Sequence, residues 1–173
     1  ITNKVLEEQK LNNLYDALSV VPNVTGEVGI GGFTIRGIDS FNVSGGGNSF
    51  LTSVYVDGAP LPMREIQQGG FSTWDVSQVE VLRGPQSTLQ GRNALAGAIV
   101  VNTYDPAYEY SAKGRVILGE NGQQELAIAA GGSLIDDVLA FRFTAEDRDY
   151  DGVIENIARN NENSDFSNSN LYR

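Results

Sequence analysis

The stretch Val79-Glu80-Val81-Leu82-Arg83-Gly84-Pro85-Gln86-Ser87-Thr88-Leu89-Gln90-Gly91-Arg92-Asn93-Ala94-Leu95-Ala96-Gly97-Ala98-Ile99-Val100-Val101-Asn102-Thr103 decides the fold. Val79, Val81 and Leu82 favour a strand, and Gly84-Pro85 stops it. Pro85 has its φ preset for a first helical turn, so a short helix is expected over Gln86 to Gln90, ended by Gly91. Gly97 is the last flexible joint before Ala98 to Val101. That continuous apolar run reads as a strand buried on both faces. The unit is therefore strand, compact loop with a helical turn, buried strand. Arg83 and Arg92 bracket the turn.

Upstream, Leu11, Leu14, Tyr15, Leu18 and Val21 recur at helical spacing. Asn12 or Asn13 can cap this helix, expected over Leu11 to Val20, and Pro22 ends the run. Phe33 to Arg36 and Ser53 to Val56 read as strands, the second closed by Asp57-Gly58. These two, with Val76–Leu82 and Ala98–Thr103, are expected to form one mixed four-stranded sheet with the helix packed on it. Asn42 to Ser49 contains Gly45-Gly46-Gly47 without the Gly-Lys-Ser/Thr of a phosphate-cradling loop, so it reads as a flexible surface loop. Ala59 to Trp74 reads as irregular. Its large side chains leave two accounts open: Phe71 and Trp74 cover a core, or some of the set, Met63 and Arg64 foremost, faces a ligand.

Downstream of Pro106 the pattern changes to strict alternation. Ala112–Gly119, Gln124–Gly132 and Val138–Asp147 are expected to form an antiparallel meander, with turns at Glu120-Asn121-Gly122 and Asp136-Asp137. One face carries Val116, Leu118, Leu126, Ile128, Phe141 and Phe143. The other carries charged or small residues. Transmembrane barrel strands alternate in this way, but so does a soluble sheet packed on one face. Asp147 to Asn170 reads as a long polar loop, and Leu171-Tyr172-Arg173 would open a fourth strand. Asp147-Arg148-Asp149-Tyr150-Asp151-Gly152 imitates the start of a calcium loop, but the twelfth position, where a bidentate Glu belongs, is Ala158. No metal site or other cofactor is expected.

Composition narrows the chemistry. The 173 residues contain neither cysteine nor histidine, which removes disulfides, thiol nucleophiles, Ser-His-Asp triads and the common zinc sites. A net charge of −10 argues against a nucleic-acid partner. No apolar run reaches the length of a membrane-spanning helix. No signal peptide opens the chain at Ile1, so an exported protein would start here after processing or truncation.

The central stretch also resembles the signature of the plug domain of TonB-dependent outer-membrane receptors. The matching words are Val79 to Pro85, Gly91-Arg92-Asn93-Ala94 and Gly97-Ala98-Ile99. Three others precede them in the family's order: Val21-Pro22-Asn23-Val24, Ile35-Arg36-Gly37, and Val54-Tyr55-Val56-Asp57-Gly58 with Pro60-Leu61. The resemblance implies an α+β plug, with a mixed four-stranded sheet and short helices, over residues 1–107. Residues 108–173 would be the first strands and an extracellular loop of an antiparallel outer-membrane β-barrel. Three strands cannot close a barrel, so the chain is expected to belong to a longer protein.

In that setting no reaction is catalysed. A ferric siderophore, or else vitamin B12 or an oligosaccharide, would bind where the outer plug apices meet the barrel loops. The partner TonB would act through a box upstream of Ile1, and outer-membrane lipid would surround the barrel. The resemblance puts Arg36 at one ligand apex and Pro62, Met63 and Arg64 at another. For Arg36 an ion pair with Asp39 or the barrel wall stays open. Glu80, Arg83 and Arg92 would form a plug-to-barrel lock, at the end of the strands opposite the ligand apices. Two readings of other classes remain beside it: a secreted glycan-binding β-module and a carboxylate hydrolase. The module gives the Arg83-Gly84-Pro85 block no reason to be there. The acid pair Asp136-Asp137, in a turn without an aromatic platform, suits a hydrolase poorly.

Overall fold

The computed structural model describes residues 1–27, 32–39, 51–62, 66, 71–85, 96–154 and 167–173. The expected Gln86–Gln90 helix, the Gly45-Gly46-Gly47 loop, Met63, Arg64 and Arg92 lie outside the described residues. The chain divides into two compact units, Ile1–Tyr104 and Asp105–Arg173.

The first unit opens with two short helices, α1 (Asn3–Glu8) and α2 (Leu14–Ser19). The helix read from the apolar spacing is α2, and Asn13 is its cap. The Asn13 backbone is extended, its Oδ1 accepts from the Asp16 N–H at 2.9 Å, and its Nδ2 donates to Asp16 Oδ2 at 2.8 Å. This reciprocal cap starts α2 three residues later than expected, yet Leu11 is still buried, from the turn that precedes it. Leu14, Tyr15, Ala17 and Leu18 form the inward stripe.

The strands follow: β1 (Val24–Glu27), β2 (Gly32–Ile35), β3 (Ile38–Asp39), β4 (Thr52–Val56), β5 (Ala59–Pro60), β6 (Val76–Arg83) and β7 (Gly97–Thr103). They make two sheets. One is the mixed sheet β5-β4-β7-β6, with β4 parallel to β7 and the other pairs antiparallel. The other is the antiparallel set β1-β2-β3. The mixed four-stranded sheet is as expected, but its fourth member is β5. The strand around Phe33–Ile35 belongs to the small sheet instead. Asp57 (φ 48°) and Gly58 (φ 81°) make the tight turn that folds β5 back onto β4. The Asp57 carboxylate then accepts from the Thr103 N–H and hydroxyl, both at 2.8 Å, and ties that turn to the end of β7.

Phe33, Ile35, Val54, Val79, Ile99 and Val101 meet α2 in the core. Trp74 is buried and Phe71 packs against the core, so for these two the packing account is the observed one. The Tyr15 hydroxyl donates to the Ile66 carbonyl at 2.7 Å, and burial pushes its phenol above the ordinary value of 10.0. A raised acid pKa gives stability that is present below the unfolded value and lost as pH climbs past it. In the full-length protein, Tyr15→Phe should therefore weaken the plug at neutral pH while flattening its loss of stability above pH 10.0, as read by hydrogen exchange of the α2 amides.

The second unit is one antiparallel sheet, β11-β10-β9-β8, built from β8 (Ser111–Leu118), β9 (Gln124–Ile135), β10 (Leu139–Tyr150) and β11 (Ser167–Tyr172). The meander has the expected order and turns. Asn121 (φ 56°) and Gly122 (φ 70°) form the β8–β9 turn, and Asp137 (φ 57°) lies in the next. Two expectations need correction. β10 runs on to Tyr150 and β11 begins at Ser167, so Asp147 and Asp149 belong to a strand and not to a loop. Asp149 is tied across that strand pair by the Asn168 amide at 2.6 Å. The extended backbone over Asp147–Tyr150 is incompatible with a calcium loop, and the described residues hold no metal-ligating cluster.

Candidate functional site: an inside-out sheet and the β6 edge

Cross-strand partners share a face, so the register sorts every side chain of the second unit. Val116 faces Leu126, Gly114 faces Ile128, and Ala130 faces Phe143. This apolar face is the open one: Val116 is 67% exposed, Leu118 77% and Leu126 58%. Ile128 and Phe143 are exposed as well, whereas Phe141, expected among them, is half-buried.

The opposite face is charged and covered. Ala127 and Ala129 are buried there, and so are the two acids of that face, Glu125 and Glu146. Arg115 on β8 and Arg148 on β10 hold both. Arg115 Nη2 reaches Glu146 Oε1 at 3.1 Å and also pairs with Glu125. Arg148 meets Glu146 at 3.0 Å and Glu125 at 3.2 Å. The result is a neutral quartet bracing β8, β9 and β10. A soluble sheet would bury its apolar face and expose its charges. This one does the reverse, as a barrel with a polar interior and an apolar surround requires. No single alternating strand reveals the quartet, because Arg115 and Glu146 become neighbours only through the register.

In the first unit the expected lock and ligand residues are dispersed. Arg36 is exposed in the β2–β3 turn with φ 53°, and its N–H donates to the Asn23 carbonyl at 2.9 Å. Pro62 is exposed just past β5. Arg83 is exposed at the end of β6, opposite Gly97. Glu80 is also exposed, but three residues along a strand put it on the other face of β6 from Arg83, where it accepts from Gln78 Nε2 at 2.6 Å. Arg36 was expected at the end of the strands remote from Arg83. The structure brings it to the same end: Ile35 Cδ1 would lie 3.0 Å from a Cβ on Gly97, the residue that pairs with Arg83. Pro62 also turns back that way, since the preceding Leu61 N–H donates to the Val54 carbonyl at 2.8 Å.

A compact α+β unit followed by an inside-out antiparallel meander defines a plug-and-barrel membrane protein. The chain belongs to the TonB-dependent receptor plug domain family, whose model matches residues 1–98. It is 26% identical over 140 residues to the ferrioxamine B receptor of Salmonella typhimurium, covering 79% of this chain and 19% of that protein. To the catecholate siderophore receptor Fiu of Escherichia coli K12 it is 35% identical over 114 residues, 61% of this chain and 13% of that one. Among solved structures, the ferric yersiniabactin uptake receptor FyuA of Yersinia pestis superposes with a TM-score of 0.81 at 22% identity, over 99% of this chain and 27% of that one. At that identity the likeness speaks for the fold. The chain spans about one fifth of the length of its ferrioxamine relative.

Proposed function

We propose that the chain is the plug, residues 1–107, and the first barrel strands, residues 108–173, of an outer-membrane receptor. That receptor binds a ferric siderophore and gates its passage through the plugged barrel. The observation that carries this reading is that the relatives matched through the plug are receptors named for ferric siderophores. The inside-out sheet supports an apolar surround, and neither feature suits a secreted glycan-binding module. The chemistry is binding and gated release, with no bond made or broken. Coupling to TonB would use a box upstream of Ile1. The test is iron uptake by a receptor-deficient strain carrying the full-length protein, fed ferrioxamine B or a ferric catecholate, with and without TonB. TonB-dependent uptake of one of them is expected. Uptake of vitamin B12 or an oligosaccharide, with neither iron complex taken up, would overturn the siderophore assignment.

Arg36, Pro62, Met63 and Arg64 are our candidates for ligand contact, and Arg83 and Arg92, with Glu80, for the lock between plug and barrel. The quartet limits where the lock can find acids. Glu125 and Glu146 are already held by Arg115 and Arg148, so a carboxylate for Arg83 must come from outside β8–β11. Because Arg36 and Arg83 lie toward one end, alanine at each separates the roles. Arg83→Ala should raise the passive leak of large antibiotics and leave solute affinity within a few-fold. Arg36→Ala should cost about tenfold or more in affinity, the value of one charge-assisted contact. Added leak without lost affinity would move Arg36 to the lock.

A further inference from the structure

β6 is the outer strand of its sheet, and its free edge is already partly used. The Ile1 nitrogen donates to the Val79 carbonyl at 2.7 Å, and the Val79 N–H donates to the Ile1 carbonyl at 2.8 Å. Thr2 bridges Gln78 in the antiparallel sense, and Asn3 Nδ2 donates to the Val76 carbonyl at 3.0 Å. The start of the chain is thus laid along β6 as a short extra strand. Backbone groups alternate between the two edges of a strand. Val79 turns its pair outward, while the Gly84 N–H turns inward to the Ala96 carbonyl at 3.0 Å. Val81 and Arg83 therefore direct their N–H and C=O groups to the outer edge, where no described strand pairs with them.

We propose that the backbone entering Ile1, in a receptor of the relatives' length, continues this ladder along Val81 and Arg83. The Ile1–Val79 pair fixes the register. The residue two before Ile1 falls opposite Val81, and the residue four before falls opposite Arg83. Ile1 and Val81 both pack against the core, so the residue two before Ile1 shares their face and should be apolar. Main-chain bonds supply the attraction, as in other cases where an extended segment adds to a sheet edge. The pairing rests on the geometry of the first unit alone. Its consequence rests on the receptor reading: a pull from upstream loads the Arg83 pair first, so the strand carrying the proposed lock arginine feels the pull before the core does.

Hydrogen-exchange mass spectrometry on the detergent-purified full-length receptor tests this, against a version whose mature chain begins at Ile1. The Val81 and Arg83 amides should exchange at least about tenfold faster in the shortened version, with the inward Gly84 amide unchanged. Equal rates in the two, with Gly84 protected in both, would overturn the pairing. If the shortened version does not assemble, proline two residues before Ile1 in the full-length receptor takes its place, since proline breaks a ladder pair. Faster Val81 exchange is then expected, and unchanged exchange would overturn the proposal. Neither readout depends on which solute is carried, so a failed uptake assay and a failed ladder are told apart.

Discussion

Replacing Glu146 by alanine is expected to destabilise the full-length receptor by about 3 kcal/mol, among the largest effects of any single change in the described sheet. Its side chain is 2% exposed and meets both Arg115 and Arg148. Without it the quartet becomes two cations sharing Glu125 in a covered site. Removing one partner strands a charge, whereas removing a pair together does not. Glu146→Leu combined with Arg148→Met should therefore recover much of the loss. The check is the temperature at which the purified receptor loses its compact mobility in a detergent gel. Glu146→Ala should lower it by several degrees and the double variant by distinctly less. Exposed pairs such as Lys4–Glu8, whose side chains are 80% and 64% exposed, should shift it little.

Gly97→Ala should be comparably damaging in the first unit. A Cβ there would sit 2.4 Å from the Leu82 carbonyl oxygen. That oxygen belongs to the backbone of the paired strand β6, so it cannot swing away as a side chain would. Relief requires the β6–β7 ladder to part beside the Gly84–Ala96 bond. Overpacking of this kind costs about 3 kcal/mol, which would speed exchange of the β6 and β7 amides on the order of a hundredfold through wider opening. Gly58→Ala is the contrast. Nothing lies within 4 Å of its Cβ position, and only its φ of 81° is unfavourable. A cost of about 1 kcal/mol is expected there. Similar exchange in the two variants would show that the close approach of β6 and β7 does not matter.

These two sites show what the sequence could and could not reveal. Strand identity was legible, because period-two alternation over Ala112 to Asp147 and the apolar run at Ala98 to Val101 survive in any context. Partner choice was less so. Phe33 to Arg36 reads as a strand, but nothing local says that it pairs with β1 and β3 instead of β4. The two-residue strands β3 and β5 are too short to leave a pattern, and α1 buries only Leu6. β11 was half-seen, since Ser167 to Asn170 are poor strand formers that β10 recruits by register. The separation of Glu80 from Arg83 was available from alternation alone. The quartet was not, since its members lie on three strands and meet only once the register is known.

The central claim is that the open apolar face of β8–β11 meets lipid. The chain contains no cysteine, so single labelling sites can be introduced without removing any from this part of the receptor. Spin labels at Val116, Leu126, Ile128 and Phe143 of the full-length receptor in a bilayer would be compared with labels at Ala127 and Ala129. The account predicts that the first set relaxes strongly with a lipid-soluble quencher and weakly with a water-soluble one, and that the second set is shielded from the lipid-soluble quencher. Water-soluble quenching of the first set, with no response to the lipid-soluble reagent, would contradict it.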